Sequence, residues 1–416
     1  MSDLSLTPRQ AAQIAQRLYN VKDDSISKAQ EVPGGLGLKG NYAVNNSSRF
    51  TATSGIQSLG LSQDTGFGYV AEGEGQFQGH VLIAVRGTNS KFDILTDINA
   101  GVALSGNKHI GFKAVFDSYS DKIDGYFKKA NKNPSQVHVV GHSLGGALAT
   151  LTADYLNSRY KTPVKLYTFG CPRVGTKSFA AEVTQKIGEH NFYRVHHEND
   201  PVTLIPIWPF YHAPRRQEGD RNPGYSLSGG SFIYHSYHFM DSYVGSIKFQ
   251  NWNAIASKAL AEATKPIDLA KWLNLASQSN YSIGVFSTVA FKMIGKCLTW
   301  LIRESEKAVF GALSLIGFTV SSTIDMVALL LHKAAMVSAN VADKLKKLMI
   351  VIFKFLGKSG QYTGDITTAF LRWVLNLLTS AIGAMYKRAI YSPQVIQVAS
   401  NKTDDDIPFK PTSGIG

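Results

Sequence analysis

The sequence predicts an α/β core built on a mostly parallel sheet, followed by an all-α, apolar and basic C-terminal region. Three observations carry this. Strand-like and helix-like segments alternate as far as about residue 245. A glycine-rich turn, Gly141 to Gly145, joins one such strand to a helix of small residues. Beyond Tyr243 the strand pattern stops and apolar helical segments replace it.

The first element is an amphipathic helix within Met1 to Tyr19, with Thr7 as its cap, Pro8 opening it, and Ile14 and Leu18 sharing a face. No basic stretch followed by an apolar run is seen there, so the expectation is synthesis in a cytoplasm without a signal peptide. Gly79 to Thr88, GHVLIAVRGT, reads as a buried strand running into a turn. Lys113 to Lys129 has helical spacing, with Phe116, Tyr119, Ile123 and Phe127 three or four residues apart. Gln136 to Val140 is a β-branched strand, Gly145 to Tyr155 a helix, and Val164 to Phe169 and Phe192 to Val195 are short strands. This order implies a sheet flanked by helices.

Composition narrows the function. The chain has 416 residues, 44% hydrophobic and 18% charged, which excludes a mostly disordered protein. Its two cysteines, Cys171 and Cys297, are too few for a disulfide-stapled fold or a four-ligand zinc site. No cofactor and no metal are expected. The net charge of +13 requires an anionic partner. Residues 1–244 hold 24 basic and 20 acidic residues, whereas 245–416 hold 19 and 10. The excess therefore lies in the apolar half, which points to an anionic membrane surface and not to nucleic acid.

Gly141-His142-Ser143-Leu144-Gly145 has the context that a nucleophile elbow needs: a strand before it, glycines two residues to either side of the serine, and a helix after it. The helix N-terminus aims backbone N–H groups at developing negative charge. A serine nucleophile needs an acid and a base downstream. Asp200, between a strand and Pro201, is the first choice of acid, with Glu198 as its rival. For the base, spacing leaves His212, His235 and His238 open.

Five segments in order resemble the class 3 lipase family of α/β hydrolases: Ala84 to Thr88, Gly141 to Ala149, Thr168 to Gly175, Arg194 to Pro206 and His238 to Tyr243. They span about residues 65–245. The resemblance implies an α/β-hydrolase core with Ser143 as nucleophile, Asp200 as acid and His238 as base. It also implies an oxyanion hole at Thr88 and Leu144, and a lid at Asn89 to Ser105 carrying Phe92, Ile94, Leu95 and Ile98.

In the C-terminal half, Ile283 to Ile302, Ala308 to Leu331, Met349 to Leu356 and Phe370 to Met385 are apolar stretches flanked by Lys or Arg. They suit a helical bundle, a membrane-docking module using Lys344, Lys346, Lys347, Lys354 and Lys358, or, at 308–331 with Asp325 inside it, a spanning anchor. The expected organisation is an N-terminal helical extension (1–60), a class 3 lipase-like domain (61–248), a helical apolar and basic region (249–395) and a flexible tail (396–416). The expected function is hydrolysis of acyl esters in membrane phospholipid, of the phospholipase A1 type. Triacylglycerol hydrolysis and membrane insertion or pore formation are the alternatives. A leaderless lipase with added helices also resembles type VI secretion lipase effectors. That implies export by a leaderless route, action at a target-cell membrane, and an immunity protein as partner.

Overall fold

The computed structural model describes residues 4–19, 40–43, 49–54, 63–87, 104–130, 133–198, 200–204, 206, 210–215, 224–227, 235–247, 249–263, 268–278, 280–284, 287–310, 323–358 and 365–390. Helix α1 (Pro8–Arg17) starts at a reciprocal cap. Thr7 Oγ1 accepts from the Gln10 backbone N–H at 3.2 Å, and Gln10 Oε1 accepts from the Thr7 N–H at 2.9 Å. Its buried side, Ala11, Ala12, Ile14 and Ala15, rests on one face of the sheet.

Among the described residues the main sheet has eight strands. They include β1 (Tyr42–Ala43), β2 (Arg49–Ser54), β3 (Gln63–Gly73) and β4 (His80–Val85). A separate hairpin, β5 (Leu104–Ser105) and β6 (Lys108–His109), leads into α2 (Ile110–Ala130). The chain continues as β7 (Gln136–His142), α3 (Leu144–Tyr160), β8 (Val164–Phe169), α4 (Lys177–Ile187), β9 (Phe192–His197) and β10 (Tyr225–Leu227). The order is β1-β3-β4-β7-β8-β9-β10, with β2 on β3. Pairings from β4 to β10 are parallel, and β1, β2 and β3 add an antiparallel edge. Strands β1 and β2 fall in the stretch expected to be a helical extension, so the sheet reaches further towards the N-terminus than the sequence suggests.

Both faces of the sheet are covered, which is why its central strands are apolar at successive positions. Along β4, Val81, Ile83 and Val85 join one apolar cluster with α2 and α3, while Leu82 and Ala84 join another with α1. Along β8, Val164 and Leu166 go to the first cluster and Tyr167 and Phe169 to the second.

Helices α5 (Met240–Ile247), α6 (Trp252–Ala263), α7 (Leu269–Ser277), α8 (Thr288–Phe310), α9 (Thr323–Val337), α10 (Ala339–Phe355) and α11 (Thr368–Ile390) follow. Helices α8 to α11 bury Leu298, Leu301, Leu331, Leu345, Ile352, Leu371 and Leu375 in the same cluster as α2 and α3. Asp325 of α9 pairs with Arg372 of α11, so the acid that a lipid interior would penalise has a guanidinium beside it. Three of the five lysines expected to face a membrane have protein partners. Lys354 Nζ donates to the carbonyl of Ala276 in the last turn of α7 and to those of Gln278 and Tyr281 just beyond it, Lys347 pairs with Asp343 at 2.6 Å, and Lys344 lies 4.4 Å from the Trp300 ring. No described helix is long and apolar enough to cross a membrane, and 311–322, the middle of the expected anchor, lie outside the described residues, as does the tail.

Candidate active site

Strand β7 delivers Ser143 to the C-terminal edge of the sheet, where the chain turns at once into α3. Ser143 has φ 59° and ψ −131°, a left-handed conformation that costs an L-residue about 1–3 kcal/mol. The turn closes only because its flanking glycines lack side chains. A Cβ on Gly141 would lie 2.1 Å from the Gly145 carbonyl oxygen, and one on Gly145 would lie 2.2 Å from that of Val85. The Ser143 N–H donates to the Phe169 carbonyl at 2.9 Å, which ties the elbow to β8.

Asp200 follows β9 and is fully buried. Three donors hold its carboxylate: the Val202 N–H at 2.8 Å on Oδ1, the Tyr243 hydroxyl at 2.6 Å on Oδ2, and His238 Nδ1–H at 2.9 Å on Oδ2. Fixing the Nδ1 proton towards Asp200 leaves His238 Nε2 as an acceptor, and the Ser143 hydroxyl lies 3.0 Å from it. The structure thus brings together Ser143, His238 and Asp200, with Ser143 3% and His238 2% exposed.

Leu144 is the first residue of α3, so its N–H is one of the helix's unpaired first-turn donors beside the serine. Thr88 and residues 89–103 of the expected lid lie outside the described residues. Gly87, just before Thr88, already approaches the nucleophile, since a Cβ there would be 3.1 Å from the Ser143 Cβ.

Two of the three rivals are employed elsewhere. Glu198 pairs with Lys292 at 2.9 Å. His212 Nε2 donates to the Thr203 carbonyl at 2.8 Å, and burial holds its pKa well below the usual histidine value. His235 is on the same short turn as His238, His235–His238, and its side chain lies outside the described residues. Cys171 and Cys297 are free thiols whose pKa values burial pushes up to about 12, so neither is a thiolate nucleophile.

Four residues shape the site without a role that the sequence alone assigns. Tyr243 donates to Asp200 and accepts from the His197 N–H at 3.2 Å, and burial with the nearby Asp200 charge pushes its pKa well up, so it keeps its proton. Gly170, at φ +55°, leaves room for the acid and base: a Cβ there would lie 2.7 Å from Asp200 Oδ2 and 3.0 Å from His238 Nδ1. His142 donates from Nε2 to the His238 carbonyl at 2.8 Å, and Tyr19 donates to its Nδ1 at 2.6 Å. Burial, then the adjacent His238, holds His142 well below the ordinary histidine pKa, so it stays neutral. A tyrosine five residues after a histidine and a glycine at a strand end, both inside the family-like segments, are the sequence signals for the first two.

Residues 82–210 match the family model described as lipase (class 3). The secreted mono- and diacylglycerol lipase 1 of Fusarium solani is 35% identical over 176 residues, covering 40% of this chain and 49% of that protein. The secreted mono- and diacylglycerol lipase A of Penicillium cyclopium is 34% identical over 134 residues, 30% of this chain and 43% of that protein. The chain thus spans less than half the length of these relatives. A solved lipase from Rhizopus microsporus var. chinensis is 23% identical, with a TM-score of 0.38, over 53% of this chain and 72% of that one.

Proposed function

We propose that this chain, whose residues 82–210 match the class 3 lipase model, is a serine hydrolase of the α/β-hydrolase fold that cleaves the acyl esters of lipids. The observation that carries this is the relay from Asp200 through His238 to Ser143, with contacts of 2.9 and 3.0 Å on a strained elbow. Ser143 Oγ attacks the ester carbonyl while His238 Nε2 takes its proton, and Asp200 stabilises the imidazolium. The Leu144 N–H, with Thr88 as the second donor, receives the tetrahedral oxygen. His238 returns the proton to the leaving alkoxide, and then activates a water that releases the fatty acid and frees the serine.

Among lipids we assign membrane phospholipid, cleaved in the A1 manner. The supporting observation is the excess positive charge of residues 245–416, joined to exposed apolar side chains such as Val289, Met336, Val337 and Trp373 on the same region. The relatives' own names, mono- and diacylglycerol lipases, favour neutral acylglycerol as the second reading. The biological setting that fits a membrane-degrading lipase is an antibacterial effector countered by an immunity protein. On that reading, expression in a bacterial periplasm is toxic where cytoplasmic expression is not, and equal growth in both contradicts it.

The test is mass spectrometry of the products from phosphatidylglycerol vesicles and from monoacylglycerol micelles, with wild type and Ser143→Ala. Free fatty acid with lysophospholipid, reduced at least about 10³-fold by the substitution, is expected. Release unchanged in Ser143→Ala overturns the hydrolase reading, and turnover of monoacylglycerol alone selects the neutral-lipid one.

A further inference from the structure

The acid and base of the site sit on two loops, and the C-terminal helical layer backs both. Lys292 of α8 reaches Glu198, two residues before Asp200, at 2.9 Å. Glu198 is otherwise anchored to β10, its N–H donating to the Leu227 carbonyl at 3.1 Å and its Oε1 accepting from Ser226 Oγ at 3.3 Å. Helix α11 packs against both the Pro201–Leu204 turn that follows Asp200 and the His235–His238 turn. Val202, whose N–H holds Asp200, belongs to the same apolar cluster as Leu371, Val374, Leu375 and Leu378 of α11. Helices α8 and α11 both pack on α9, so these contacts issue from one connected layer.

We propose that Lys292 is a positioning residue for this site: acting through Glu198, it fixes the start of the acid loop and hence the position of Asp200 against His238. This rests on the serine-hydrolase reading above and extends it, because it makes the helical layer part of the framework of the triad as well as a lipid-facing surface. Both partners are about one-third exposed, at 33% and 34%, so the pair adds little to stability. Its position is what counts, since displacement of a reacting group by about 1 Å costs on the order of 100-fold in rate.

The test uses the full chain with Lys292→Glu, Glu198→Lys, the double reversal and Lys292→Arg. The readouts are kcat and KM on soluble p-nitrophenyl butyrate, the rate of Ser143 labelling by a fluorophosphonate, and the melting temperature. Each single reversal is expected to lower kcat and labelling about 10- to 100-fold with KM within about twofold and little change in melting temperature. The double reversal and Lys292→Arg are expected to restore both rates. Single reversals that keep wild-type rates overturn the proposal, as does a double reversal as slow as either single, or losses that only follow melting temperature. A wild type whose turnover survives Ser143→Ala fails at the hydrolase reading itself, and that control separates the two failures.

Discussion

Replacing Tyr243 by Phe removes one oxygen from the support of the triad and leaves the ring in place. The hydroxyl is buried and serves two partners, donating to Asp200 Oδ2 at 2.6 Å and accepting from the His197 N–H at 3.2 Å. A hydrogen bond to a charged group contributes about 1.5–3 kcal/mol, and an orphaned buried N–H adds a smaller cost, so about 2–4 kcal/mol of stability should go. For a unit of 150–250 residues this is a fall of roughly 5–12 °C in melting temperature. Catalysis should lose less. Asp200 keeps the Val202 N–H and His238 as partners, so kcat should drop about 10-fold, equivalent to about 1.4 kcal/mol. Asp200→Asn should cost about 10⁴-fold, because it also upsets the imidazole tautomer. The assay is calorimetry beside kcat and KM on a soluble ester. A Tyr243→Phe enzyme as slow as Asp200→Asn, or one unchanged in both stability and rate, refutes the view of Tyr243 as a holder of the acid.

Gly170→Ala places a methyl group between the acid and the base, so kcat should fall about 100-fold with the circular dichroism spectrum unchanged; full activity contradicts this crowding. Burial lowers the pKa of His109 to about 4 and of His138 to about 3, so the folded chain holds them neutral while the unfolded chain takes up protons below about 6.5. Stability should therefore be complete near pH 7 and be lost as pH falls, by about 2 kcal/mol per histidine at pH 5. Urea titrations at pH 7 and 5 check this, and equal midpoints contradict it. In the helical layer, Arg372→Met leaves Asp325 largely buried without its guanidinium and should cost about 1–2 kcal/mol, while adding Asp325→Leu should recover most of it. Urea midpoints of the single and double variants decide, and a double variant no better than the single contradicts the pairing.

Much of the catalytic half is legible in the sequence because its signals are local. Thr7 and Pro8 mark the start of α1, β8 has the bounds its β-branched and aromatic run suggests, and the glycines of the elbow are demanded by contacts of little more than 2 Å. The choice among His212, His235 and His238 is not local, since His238 meets Asp200 across 38 residues and Ser143 across 95. Strand β3 escapes a reading by pattern because Gly66 and Gly68 interrupt it; the second is there since a Cβ would lie 2.3 Å from the Ala84 carbonyl oxygen. The apolar C-terminal segments cannot be sorted from composition, because a helix buried among protein and one buried in lipid expose the same kinds of side chain. Only tertiary contacts show that Lys354 is spent on carbonyls at and just past the C-terminal end of α7 and that Asp325 has an arginine beside it.

Ser143 is expected to be an activated nucleophile, and peptide mapping of the 416-residue chain after reaction with a fluorophosphonate tests this without reference to any lipid substrate. The expected result is a single adduct on Ser143 that His238→Ala slows at least about 10³-fold. An adduct on another residue, or labelling of Ser143 at the same rate without His238, would contradict it.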